Sequence, residues 1–101
     1  MPLLKLAATQ TANRQFLELR QRAVAVGQLE QFSAAHNEIL ACLRDLDQAL
    51  ESGERLYHTR KPGGEVRQWL YQFISVTYVV FPKELVAWIT KYLPVPSSWP
   101  E

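Results

Sequence analysis

Leu29, Phe32, His36, Ile39, Leu43, Leu46 and Leu50 recur in alternating steps of three and four. At 3.6 residues per turn this spacing sets all seven on one face of a helix. The opposite face carries Glu30, Asn37, Arg44, Asp45, Asp47, Gln48 and Glu51. One helix from about residue 29 to a stop at Gly53 is therefore expected, and Ser33 offers a second N-cap for a shorter one. About three heptads of stripe favour core packing over a coiled-coil seam. Upstream, Phe16, Leu19, Ala23 and Val26 keep helical spacing, which predicts a helix over 11–26. Thr9 and Thr11 supply N-cap oxygens for it, and Gly27 interrupts it. Phe16, Leu17 and Val24 cannot all share the Leu19 side, so part of this helix offers apolar area to a partner. The short run "LLKLAA" (3–8) fits either a buried strand or the start of a helix.

Past Gly53 the helical period ends. "RLYHTR" is β-compatible, and Pro62-Gly63-Gly64 makes a turn. "VRQWLYQFISVTYVVF" (66–81) is dense in β-branched and aromatic residues and too long for one strand. It reads as two strands meeting at 72–75. In the second, Ile74, Val76, Tyr78 and Val80 point one way, and Ser75, Thr77, Val79 and Phe81 the other. Both sets are largely apolar, so a central strand covered on both sides is expected. Pro82-Lys83-Glu84 is a tight connection, and "LVAWITKYL" (85–93) is a further strand. Trp69 and Trp88 read as buried sheet residues, and His36 as a core-edge residue making one hydrogen bond. Helices and strands are segregated along the chain, which predicts one α+β domain over 1–95 with a mostly antiparallel sheet. A Pro-rich tail, 96–101, follows, in which Trp99 is either loose or folded back.

Composition narrows the function classes. The chain has 101 residues, 48% hydrophobic and 21% charged, as one globular domain should. Its formal net charge is +1, whereas a dedicated nucleic-acid binder carries a clear excess of Lys and Arg. A phosphate site would have to be local. The candidate is "GERLYHTRKPGGEVRQW" (53–69), where Arg55, His58, Arg60, Lys61 and Arg67 face Glu54 and Glu65. It is either a phosphate-binding cluster or a solvated hairpin. The single cysteine, Cys42, forms no internal disulfide and reads as a small buried hydrophobe. With only His36 and His58 besides, no metal-ligand spacing exists. No apolar run approaches the roughly 20 residues of a bilayer span. "MPLLKLAATQ" is too short and interrupted for a signal peptide, so a cytoplasmic location is expected.

The order of these phrases resembles the RelE/ParE superfamily of bacterial type II toxin–antitoxin systems, over about residues 3–95. The carriers are the "LLKLAA" strand, the helical hairpin, "SGERLYHTR", "VRQWLYQF", "VTYVV" and "VAWITKY". The resemblance implies a βααβββ fold and a small toxin held by a cognate antitoxin. RelE-like members cleave messenger RNA in the ribosomal A site without metal and so repress translation. ParE-like members inhibit DNA gyrase. A catalytically silent, protein-binding relative is the third reading. No cofactor or membrane is implied, and a homodimer is compatible.

Metal-free RNA cleavage needs a base for the 2′-OH, cations for the phosphorane charge and an acid for the leaving oxygen. The resemblance assigns phosphate contact to Arg60, Lys61 and Arg67, and charge stabilisation to Lys91. His58 or Tyr92 takes proton transfer or base stacking. One departure stands against cleavage. The arginine usual three residues before the Tyr of the "V-x-Y-x-V" strand is Ser75 here, and Ser supplies no permanent cation. A nuclease reading requires Arg60, Arg67, Lys91 and Tyr92 to meet in one concavity.

Overall fold

A computed structural model describes residues 3–58 and 64–95, with the backbone alone for Glu54–His58. The elements run β1 (Lys5–Ala8), α1 (Gln10–Ala25), α2 (Leu29–Leu43), α3 (Leu46–Glu51), β2 (Glu54–His58), β3 (Glu65–Tyr71), β4 (Ile74–Phe81) and β5 (Val86–Pro94). The class is α+β. Against the expected βααβββ, a third helix is present and four strands follow the helices. Residues 62 and 63 of the expected turn and the 96–101 tail with Trp99 lie outside the described residues.

Local chemistry explains most boundaries. The Thr9 hydroxyl accepts from Ala12 N–H at 3.1 Å and so caps α1. At the other end Gly27 takes φ +72°. Gly27 N–H then donates to Val24 O at 3.2 Å, and Gln28 N–H to Ala23 O at 2.8 Å. This is a Schellman closure, in which a left-handed residue lets orphan helix carbonyls find donors.

The Leu29-to-Leu50 stripe is not one helix. It breaks at Arg44–Asp45. The Asp45 carboxylate accepts from Asp47 N–H at 2.9 Å and Gln48 N–H at 3.2 Å, which starts α3 afresh. Leu4 N–H donates to Arg44 O at 2.7 Å, and Leu3 bridges to Asp45. The incoming N-terminal segment thus holds the break. The apolar stripe survives because α3 restarts with Leu46 and Leu50 packed on the same core. Helix α2 starts at Leu29, not at Ser33.

The sheet has the order β1-β5-β4-β3-β2. Strands β2 to β5 pair antiparallel, while β1 lies parallel to β5. Helix α1 packs on β5 and α2 on β4, both on one face. That face carries Ile74, Val76, Tyr78 and Val80 of β4, all fully buried with Phe32, Ile39 and Leu43 of α2. The expected central strand is β4, and both of its faces are largely buried, with Ser75, Thr77 and Phe81 on the second at no more than 9% exposure. Among the described elements helices cover only the first.

Candidate functional site

Register assigns each strand side chain to a face, since neighbours in a ladder point the same way. Arg67 pairs with Tyr78, and Val76 with both Trp69 and Tyr92, so these side chains share the helix-covered face. Thr77 pairs with Gln68 and Lys91, and Val79 with Val66 and Trp88. These belong to the opposite face.

Arg67 is 9% exposed. Its Nε donates to Ser52 O at 2.9 Å and its Nη2 to Gly53 O at 3.1 Å. Its Nη1 pairs with Glu65 at 2.8 Å. The guanidinium therefore collects the carbonyls that end α3, where a cation belongs. The Tyr78 hydroxyl sits 2.8 Å from both Ala49 O and Ser52 O in the same corner. Burial pushes that phenol up to about 12. Gly53 fits this corner because it takes φ +69°, and a Cβ there would meet Gln68 O at 2.4 Å.

Tyr92 is also buried, at 4% exposure. Its hydroxyl lies 3.0 Å from His36 Nε2, and its N–H donates to Gln15 Oε1 at 2.9 Å. Phe16 packs tilted against both, 4.4 Å from His36 and 5.4 Å from Tyr92 by ring centroids. Burial drives the Tyr92 phenol up to about 12 and holds the His36 imidazole below its ordinary value. Two groups so shifted favour neutral forms and a structural bond. His36 is thus the core-edge residue with one hydrogen bond that its stripe position implied. Beside this cluster a cleft of about 230 Å³ lies between α1 and the end of β5, lined by Gln15, Glu18, Arg22 and Tyr92 among others.

Lys91 is exposed and points the other way from Tyr92. Three of the residues assigned to RNA chemistry therefore do not meet. Arg67 and Tyr92 sit under the helices at separate places, and Lys91 lies on the far side of the sheet. His58 ends β2, opposite Glu65, with its backbone alone described. Arg60 and Lys61 lie outside the described residues. Ser75, at the position where the resemblance expects arginine, is 5% exposed and accepts from Gln68 Nε2 at 3.2 Å. Cys42 is half-buried, and burial raises its thiol pKa, which suits an inert side chain. Among the described residues no three of His, Cys, Asp and Glu gather as a metal site would require.

The face without helices holds what the sequence reading missed. Trp88 is 41% exposed rather than buried, and Leu93 and Leu70 are 43% and 63% exposed. Trp69, in contrast, is half-buried on the helix side and packs at 5.1 Å against Tyr71. Strict alternation in "VAWITKYL" would have put Trp88 opposite Ala87 and Ile89, both of which are buried. That was the available signal. Leu17 and Val24 of α1 are each 56% exposed, the apolar surplus that the helix pattern had indicated.

No family model, curated protein or solved structure matches this chain. Among the described residues no helix is long and apolar enough to cross a membrane.

Proposed function

We propose that this chain is a RelE/ParE-type toxin relative that works in the cytoplasm by binding proteins, its antitoxin and a target, rather than by cutting RNA. One observation carries the choice among the three readings. Arg67, Tyr92 and Lys91 lie on opposite faces of the sheet, and the first two are occupied by contacts that hold the fold. A phosphorane needs cations and proton donors converging on one point. Ser75 and the net charge of +1 favour the same choice, because RNA affinity comes largely from phosphate neutralisation. The gyrase-directed mode is one form of this protein-binding reading.

The test is induced expression in a bacterium, wild type beside Lys91→Ala, following pulse-labelled protein synthesis and mapping messenger RNA ends. Arg67→Ala is unsuitable because it removes a structural contact. Protein synthesis that continues in the first minutes, with uncut messages in both strains, is the expected result. A DNA-damage response on top of it identifies gyrase. Rapid message cleavage relieved by Lys91→Ala overturns the proposal in favour of an endoribonuclease.

A further inference from the structure

One end of the helix-free face is an apolar patch with its polar groups already put away. Leu70 and Leu93 flank Ser75 in the ladder and are 63% and 43% exposed. Ser75 beneath them is 5% exposed, and its hydroxyl is satisfied by Gln68 Nε2 at 3.2 Å. A side chain laid across the two leucines therefore gains apolar contact without stripping water from a polar group. The two strands that carry them are two spacings apart, about 9–10 Å. With both leucines reaching inward, one large aromatic ring can touch both at the usual carbon separation of about 3.5–4 Å.

The chain itself leads to this patch. Strand β5 ends at Pro94, opposite Ile74, and Val95 N–H donates to Phe73 O at 3.1 Å. Beyond that bond β4 offers no further ladder partner, since it begins at Ile74. Pro96 has no N–H to extend a ladder with. Ser97 and Ser98 come next, small residues suited to a turn. Trp99 is the large apolar side chain of 96–101. It lies four residues past Val95, about 12 Å at the 3.1 Å rise of an extended proline-rich chain. Leu93 lies two residues back, about 7 Å along the strand. A reversal within 96–98 therefore brings Trp99 level with Leu93. The α1–β5 cleft also starts at Pro94, but Glu18 and Arg22 line it, and an indole seated there would desolvate charge. So short a tether gives the tail a local concentration in the millimolar range, ahead of most free partners.

We infer that residues 96–101 fold back as a strap on the helix-free face, with the Trp99 indole laid across Leu70 and Leu93. The strap belongs to the free chain and does not depend on the protein-binding reading.

The test is nuclear magnetic resonance on the full chain. Backbone order parameters at Ser98 and Trp99 should approach ~0.85, as in rigid structure, and not fall below ~0.6 as in a flexible segment. Trp99 ring protons should show cross-relaxation with the Leu70 and Leu93 methyls. A second readout is chemical. With Cys42→Ser removing the native thiol, Ser75→Cys should react with a soluble disulfide reagent ~10-fold or more faster once Trp99→Ala is added, as loss of a local cover implies. Leu70→Ser, at a position 63% exposed, should speed it in the same way. Cooperative melting of each variant keeps a folding defect distinguishable. Order parameters below ~0.6, or a thiol rate indifferent to Trp99→Ala, overturn the strap. Trp99 contacts to Leu19 and Tyr92 would move the tail into the α1–β5 cleft and overturn the seat on the sheet. Contacts seen only between labelled and unlabelled chains in a mixed sample would assign the patch to a second copy's tail. None of these readouts involves a target, so failure here leaves the protein-binding reading standing, and message cleavage in the expression test leaves the strap standing.

Discussion

Arg67 is a cation whose work is internal. It satisfies two carbonyls at the end of α3 and neutralises Glu65, the two side chains being 11% and 21% exposed. Arg67→Met leaves those oxygens and a carboxylate without their donor, at a cost of about 2–3 kcal/mol. Arg67→Lys recovers only part of this, since an ammonium cannot span both carbonyls as the fork does. Urea unfolding of the three proteins checks the order. His36 gives a pH signature instead. Burial keeps its folded pKa below the ordinary 6.5, so below that pH the unfolded chain binds the extra proton first. Stability attributable to this group is complete above 6.5 and falls as the pH drops from there through the folded value. His36→Gln should flatten that limb in a series of urea midpoints between about pH 7 and 4.5.

At the scale of elements, most of the fold was legible because its causes are local. Thr9 and Gly27 marked the ends of α1, and the β-branched run of 66–81 announced two strands with a turn between, now Gln72–Phe73. The break in the long stripe was masked by periodicity, since Leu43, Leu46 and Leu50 keep their phase through it. The clue was the Asp45-x-x-Gln48 spacing, an N-cap pattern inside an apolar repeat. Asp45→Ala removes the acceptor for two N–H groups and should cost about 1 kcal/mol. Fluorescence-detected thermal melts would show it, and Asp45→Asn, whose side-chain oxygen still accepts, should recover most of the loss. The faces of β3 and β5 were less legible. Which side of a strand meets the helices depends on sheet order and register, and here β5 lies between β1 and β4 with a register shift beside Thr77 and Tyr78. Arg67 on β3 and Lys91 on β5 were therefore separated by the sheet itself.

On the scale of the whole molecule, β1 has β5 as its one neighbour among the described strands, and α1 rests chiefly on β5 as well. The contacts that join them reach across 77 to 81 positions of chain, from Gln15 to Tyr92 and from Thr9 to Thr90. Synthesis on the ribosome proceeds the other way, from β1 onward. While β5 is still inside the exit tunnel, β1 has no ladder and the apolar stripe of α1 has only α2 to cover it. Strand β1 and helix α1 must therefore wait in an unfinished state until β5 has emerged. A message cut or stalled before the codons of β5 yields a chain with an open sheet and a partly covered helix, a natural client for chaperones and proteases.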